Sequence, residues 1–461
     1  MNRILHLIAA TLFLALPIGT FAENAPYISP TPGEIPLIIS SPHSSTRTVN
    51  AEDLRGVKEC GANLMIIKPQ FADSVFKYAA GTGLKIITSQ QPGTTDIFPE
   101  VFAKYSKPRY SSLVGGWLMI DEPYYNNWNP IADNHSGYDA SGDYWFRKMD
   151  FRELYYELQG KDPGKMVWFN LAVSMEKRFV GGFQTYRDYL RAFNEAIHPP
   201  VWFFDLYPLR GGTTAEPKKI NVWYKAFYEA LDDFRYISDL SGRPFWFYSQ
   251  CVSYSKDKIS GDTSSPITYV FPEPTLEYMR FQVFTAFAFG AKGIGYWYYA
   301  QGKDDAPGWY YVTSPVLRDG TRTPVWYILQ EVNKEINRYK EVFLDTELVK
   351  LYQTNKNYFV AGDLFPGSYG PLSTLTTESG SAPGFFVTHY KKGRSNYVML
   401  TSKSATESQK VSITFDRLAK VSFLGGGGVV KPKVNKSKGG VRSFAGDIEP
   451  GGYAIFKWQS N

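Results

Sequence analysis

The chain has 461 residues, with 50 Lys and Arg against 44 Asp and Glu and a formal net charge of +6. Spread over this length and without a basic run, that charge excludes a nucleic-acid footprint. Two cysteines, Cys60 and Cys251, exclude a disulfide scaffold, while a mature chain of about 440 residues is long enough for two or three domains around a large core.

Residues 1–22 read as an export signal rather than as part of the fold. Arg3 gives the positive n-region, Ile4 to Ile18 is an apolar stretch too short for a membrane span, and Thr20-Phe21-Ala22 is a small-x-small cleavage site. Cleavage is expected near Ala22, with delivery to the periplasm or the extracellular space. No Cys lies near the cut, so no lipoprotein anchor is expected, and no later run is apolar enough to span a bilayer.

From Pro36 to about Tyr339 two textures alternate. Apolar blocks that read as strands are Leu37 to Ser41, Asn63 to Lys68, Lys85 to Ser89, Gly116 to Ile120, Met166 to Ala172, Val201 to Leu206, Pro244 to Ser249 and Gly293 to Tyr299. Between them lie helical patterns: Ala51 to Cys60, Phe71 to Ala80, Tyr144 to Leu158, Phe183 to Ala196, Ile220 to Leu240, Thr275 to Phe289 and Pro324 to Tyr339. Short strands apolar on both faces, alternating with helices, imply a parallel sheet. Eight such units predict a closed (β/α)8 TIM barrel over residues 23–346 rather than an open doubly wound sheet. No Gly-x-Gly-x-x-Gly follows the first strand, which argues against a dinucleotide site.

After about Glu347 helical periodicity stops. Short β-rich runs appear at Tyr358 to Ala361, Gly384 to His389, Asn396 to Thr401, Val411 to Phe415 and Tyr453 to Trp458, separated by Gly, Ser and Thr. Residues 347–461 therefore predict an all-β sandwich docked on the barrel. Gly425 to Gly428 has no following helix and reads as a turn, not a phosphate loop. Cys60 and Cys251 are placed at opposite ends of the barrel, too far apart to bridge, so two free thiols are expected.

A barrel of this type carries its chemistry at the carboxyl ends of its strands. Those ends hold His43 after strand 1, Lys68 after strand 2, Gln90 after strand 3, Asp121-Glu122-Pro123 after strand 4, Asn170 on strand 5, Asp205 and Tyr207 after strand 6, Gln250 after strand 7, and Trp297 and Tyr299 on strand 8. Carboxylates, amides and aromatic rings converging on one mouth suit a sugar, whose ring faces stack on Trp and Tyr while its hydroxyls need polar partners. Cleaving a glycosidic bond needs one protonated and one ionised carboxyl. Glu122 is the candidate acid and Asp205 the best candidate for the second carboxylate, with Asp304 and Asp305 behind it. Alternation along a strand lets only one of Asp121 and Glu122 face the mouth, so Asp121 is expected to point away. His43, Lys68, Gln90, Asn170, Tyr207, Gln250, Trp297 and Tyr299 are the expected substrate contacts.

The Glu-Pro ending strand 4, the Asp-Leu-Tyr-Pro at Asp205 to Pro208, the Gly-Ile-Gly-Tyr-Trp at Gly293 to Trp297 and the trailing sandwich resemble secreted glycoside hydrolases with (β/α)8 barrels of the clan A type. The resemblance implies Glu122 as the acid/base. It also implies a Glu nucleophile at the end of strand 7, where this chain has Gln250, and an Asn before the acid/base, where it has Asp121. The expectation is thus a glycoside hydrolase acting on an oligo- or polysaccharide, a monomer without cofactor or metal. His is scarce, with 5 in the chain, and no His-x-His, His-Glu-x-x-His or Gly-x-Ser-x-Gly occurs. The alternative is a carbohydrate-binding barrel without turnover, and a third reading is a structural surface protein with no open pocket.

Overall fold

The computed structural model describes residues 27–40, 48–89, 98–122, 151–173, 184–216, 219–257, 266–302, 309–377 and 383–460, the side chains of 120, 121 and 151–154 excepted. Eight parallel strands close into a barrel: strand 1 Leu37–Ser40, strand 2 Leu64–Ile67, strand 3 Lys85–Ser89, strand 4 Val114–Asp121, strand 5 Met166–Leu171, strand 6 Trp202–Asp205, strand 7 Phe245–Gln250 and strand 8 Gly293–Trp297. Each strand pairs with its neighbours in chain order, and strand 8 pairs back onto strand 1 through Leu37 and Ile294.

Helices follow the strands and form the outer ring: α1 Ala51–Glu59, α2 Ala72–Ala79, α3 Phe98–Tyr105, α4 Phe151–Lys161, α5 Tyr186–Ile197, α6 Tyr224–Ser241, α7 Leu276–Ala288 and α8 Pro324–Arg338. Their ends are written locally. Asn50 and Thr185 close capping boxes with Asp53 and Asp188. Thr275 caps α7, and Thr323 followed by Pro324 starts α8. Gly242 ends α6 in the left-handed conformation at φ 64°.

The barrel interior is filled rather than hollow. Ile38, Leu64, Ile66, Ile87, Leu118, Met166, Trp168, Val201, Phe203, Trp246 and Tyr248 form one buried cluster inside it. Strand 8 has no side chain at the two inward positions level with the large rings. A Cβ on Gly293 would lie 2.7 Å from Trp246, and one on Gly295 would lie 2.8 Å from Tyr248. The outward residues of the strands pack on the helices in a second, larger cluster.

Residues from Glu347 onward form a six-stranded and a four-stranded sheet, with a core of Phe385, Val387, Val398, Leu400, Ile413, Phe444 and Phe456 between them. Strand pairs in both sheets are antiparallel, apart from the parallel edge pair of Glu347–Gln353 with Asp363–Leu364. The far face of the six-stranded sheet, through Phe386, Tyr390, Met399, Tyr453 and Ile455, belongs to the same apolar cluster as α7 and α8. Arg280 on α7 and Glu335 on α8 form a buried ion pair at 2.5 Å, and the Tyr453 hydroxyl donates to Glu335 at 3.2 Å.

The expected run Tyr358 to Ala361 is not a strand. Tyr358 takes a left-handed φ of 63° and stacks on Tyr224 at 4.7 Å, so the segment is a turn pinned to α6. Helix α3 and a three-stranded antiparallel sheet of Ser253–Ser255, Tyr269–Phe271 and Tyr310–Thr313 are additions to the sequence reading. Both cysteines are free and fully buried, as expected, and burial raises both thiols, Cys60 to about 12. They share the layer outside the barrel, each within electrostatic reach of Tyr296, rather than standing at its two ends.

Candidate functional site

The register of the strands places the inward residues at the mouth. Asn170 pairs with Phe203, Asp205 with Tyr248, and Gln250 with Trp297, and Asn170, Asp205 and Gln250 each stand two positions beyond an interior residue of their own strand, Trp168, Phe203 and Tyr248. Asn170 Nδ2 donates to Asp205 Oδ1 at 2.7 Å, joining strands 5 and 6 at their carboxyl ends. Asn170 is buried and Asp205 is half-buried.

Gln250 is fully buried. Its backbone is gripped by Gln282 of α7, which accepts from the Gln250 N–H at 2.9 Å and donates to the Gln250 carbonyl at 3.2 Å. The side-chain oxygen of Gln250 has no hydrogen-bond partner among the described residues. Such an orphaned buried acceptor costs stability and marks a place where a donor is wanted.

Strand 4 ends differently from a regular strand. Leu118 pairs with Trp168 but Ile120 pairs with Phe169, so the extra residue of a bulge lies between them. The shift puts Asp121 level with Asn170. Glu122, half-buried, then leaves the strand at φ 46°, its N–H bonded to the Asn170 carbonyl at 2.8 Å. Simple alternation therefore does not assign directions to Asp121 and Glu122, because a bulge and a left-handed residue intervene. Glu122 and Asp205 stand at the same end of the barrel: the buried phenol of Tyr186, raised first by burial, is raised further by both carboxylates.

An aromatic wall rises from strand 8. Trp297 stacks on Tyr207 at 4.9 Å and on Tyr254 at 5.8 Å, and meets Phe271 edge-on at 6.3 Å. Tyr254 and Phe271 lie on the three-stranded sheet, where Tyr254 pairs with both Phe271 and Tyr311. Arg210 lies between the rings of Trp223 and Phe271, at 4.3 and 4.4 Å, and its Nε donates to the Tyr207 carbonyl at 3.0 Å. Burial pulls the Arg210 guanidinium down to about 10, against the pull of Tyr207 and Asp205.

Of the expected contacts, Asn170, Tyr207, Gln250 and Trp297 come together with Asp205. Lys68 is half-buried in extended backbone just past Ile67, two residues beyond the inward Ile66. Tyr299 is not brought to the mouth: it is buried, and its hydroxyl accepts from Trp326 Nε1 of α8 at 2.9 Å. His43, Gln90, Asp304 and Asp305 lie outside the described residues. The sequence reading missed Tyr254, Phe271, Tyr311, Arg210 and Gln282. Alternating aromatics at Trp309 and Tyr311 were the available signal for the wall; Gln282 inside a helical run gave none.

Two grooves of about 520 and 410 Å³ are found elsewhere, on the outer face of the four-stranded sheet and beside the starts of α7 and α8. Neither includes Glu122, Asp205 or Gln250. The converging strand ends are the stronger candidate, because a carboxylate, two amides and an aromatic wall meet there, with the side-chain oxygen of Gln250 unpartnered among the described residues. No group of His, Cys, Asp and Glu suited to a metal occurs among the described residues. No described helix is long and apolar enough to cross a membrane.

No known protein family matches the sequence, and no curated protein matches it. Among solved structures, a cycloisomaltooligosaccharide glucanotransferase from Paenibacillus sp. is similar over 91% of this chain and 84% of its own, at 8% identity and a TM-score of 0.48. A β-glucosidase from Thermotoga maritima matches 67% of this chain and 99% of its own, at 11% identity and a TM-score of 0.41. A β-galactosidase from the psychrophilic Marinomonas ef1 matches 67% of this chain at 11% identity and a TM-score of 0.43, and the match spans 60% of that protein's length. Likeness this distant carries no argument about the chemistry of this chain.

Proposed function

We infer that the protein is an exported glycoside hydrolase that acts on an oligo- or polysaccharide at the mouth of its barrel. The observation that supports this most is the Asp205 carboxylate, held by the Asn170 amide at 2.7 Å beside the Tyr207–Trp297–Tyr254 stack. A carboxylate next to a flat aromatic surface suits a pyranose: the ring lies on the indole and the charge faces the anomeric carbon. Glu122, past the end of strand 4 with strand 5 between it and Asp205, supplies the second carboxyl. In this reading Glu122 protonates the leaving oxygen, and the ionised Asp205 acts from the other side as nucleophile or base. Asn170 orients Asp205, and Gln250 accepts a hydrogen bond from a sugar hydroxyl. Residues 1–22 serve as the cleaved export signal, and the mature chain works as a monomer without cofactor.

Gln250 also favours a second reading. It is an amide at the strand-7 position where the clan A resemblance implies a nucleophilic carboxylate, which suits a barrel that binds sugar without cleaving it. One comparison tests both. The wild type and Glu122→Gln are assayed on aryl glycosides with good leaving groups and on glycosides with poor ones. A lost general acid costs about 10²–10⁴-fold where the leaving group needs protonation, and much less where it does not. That asymmetry, with sugar binding retained, is the expected outcome. Equal rates for the two proteins on poor leaving groups would remove Glu122 from the role. Binding of a sugar without turnover of any glycoside would favour the second reading.

A further inference from the structure

Trp309 is exposed to 40% of its full extent, and it alone among the described tryptophans falls in the exposed class. It is not loose. Its ring meets Tyr254 at 5.8 Å and Phe271 at 5.4 Å, both near perpendicular at 75° and 69°. Two such contacts fix the plane of the indole while much of its surface stays in water. Trp309 directly precedes the strand Tyr310–Thr313, so alternation puts it on the same face as Tyr311, the face that carries Tyr254 and Phe271. That face packs on Trp297 at the end of strand 8. Trp297 and Trp309 are thus the inner and outer ends of one aromatic wall, each 5.8 Å from Tyr254. Their separation can be no more than about twice that distance, the span of about two consecutive sugar rings.

We propose that Trp309 is an outer stacking subsite, so that the substrate is a chain of at least two sugar units rather than a monosaccharide. The proposal rests on the reading of the mouth as a sugar site and adds to it the length of the ligand. A rigid, hydrated indole face is costly to leave in water and suited to the apolar face of a pyranose. Trp297, half-buried beside Asp205, would hold the sugar nearest the chemistry, and Trp309 a unit further along the chain. Lost stacking at Trp309 weakens the hold on longer chains and leaves the monosaccharide untouched, because a single ring on Trp297 does not also cover Trp309.

The test uses the full-length protein carrying Glu122→Gln, so that nothing is turned over, with Trp309 intact, Trp309→Phe or Trp309→Ala. Ladders from monosaccharide to hexasaccharide of β-1,4-glucan, β-1,4-xylan and α-1,4-glucan are titrated calorimetrically. With Trp309 intact, affinity should rise beyond the monosaccharide in the series that binds. Trp309→Ala should lose about tenfold on the longer members, equivalent to an aromatic contact of about 1.4 kcal/mol. It should lose nothing on the monosaccharide, and Trp309→Phe should fall between. Equal affinity of the Ala and intact proteins for long chains would overturn the outer subsite while leaving the sugar site standing. Equal loss on the monosaccharide and on the longer members would overturn it too, by showing that Trp309 only supports the wall. No binding of any ladder by the intact protein would overturn both the subsite and the sugar reading beneath it.

Discussion

Gly293 and Gly295 decide how the barrel is filled. Inward positions on strand 8 are left empty so that Trp246 and Tyr248 of strand 7 can cross the interior. An indole cannot give way as a flexible side chain would. Gly293→Ala is therefore expected to destabilise the protein by about 1–3 kcal/mol, seen as a lower urea midpoint at unchanged slope; an unchanged midpoint would contradict this packing. The same scale shows what a sequence conceals. Gly293 to Trp297 was legible as a strand, but not that its glycines answer the rings of the strand before it. Asp121 and Glu122 were legible as an acidic strand end, yet the bulge between Leu118 and Ile120 shifted the register beneath them, and one extra residue in a ladder leaves no mark in composition. Tyr299 was expected at the mouth and is not there. Its burial against Trp326 depends on where α8 packs, a long-range fact.

Helix α7 explains why some elements read easily and others do not. Residues Tyr278 to Ala288 are all buried, because the barrel lies on one side and the six-stranded sheet on the other. No amphipathic stripe is required of such a helix. The barrel strands were legible for a related reason: buried on both faces, they are unbroken apolar runs bounded by turns. The strands of the three-stranded sheet at the mouth (the mouth sheet), three or four residues long, are too short for any period, and the exposed strand Val429–Ser437 alternates poorly. Two lysines, half-buried Lys292 and fully buried Lys403, stand at the junction of barrel and sandwich, where the Tyr228 hydroxyl of α6 donates to the Lys403 carbonyl at 2.6 Å. Lys292 donates to the carbonyls of Phe343 and Thr346 at 2.9 and 2.6 Å. Lys403, fully buried, donates to Gln353 Oε1 at 2.9 Å and to the carbonyls of Asn355 and Asn357 at 3.0 and 2.8 Å, none of them a carboxylate. Burial pushes Lys403 from an ordinary 10.5 down to about 7. Between those values the unfolded chain binds a proton that the folded chain does not, so this group's contribution to stability rises with pH and is lost as pH falls toward 7. Urea unfolding at pH 7 and 9 should show wild type gaining about 1–2 kcal/mol relative to Lys403→Met. A gap independent of pH would mean that the ammonium stays charged throughout.

At the scale of the whole molecule, the barrel, the mouth sheet and the sandwich divide the work. The barrel brings Asn170, Asp205 and Gln250 to one end through strand register alone. The mouth sheet, inserted after strands 7 and 8, extends Trp297 into a wall. The sandwich covers α7, which carries the Gln282 that grips Gln250, so a distant domain steadies a residue of the mouth. The fold was legible as a whole because eight alternating units leave few ways to close a parallel sheet, whereas the site depends on which carboxyls face one another. The central claim is that Glu122 and Asp205 act as a pair. It is tested most directly by the release of reducing ends from a panel of polysaccharides by wild type, Glu122→Gln and Asp205→Asn under one set of conditions. Both variants should fall by about 10²–10⁴-fold on the polysaccharide that wild type cleaves, with affinity for it retained. Release at the wild-type rate by either variant would contradict the pairing.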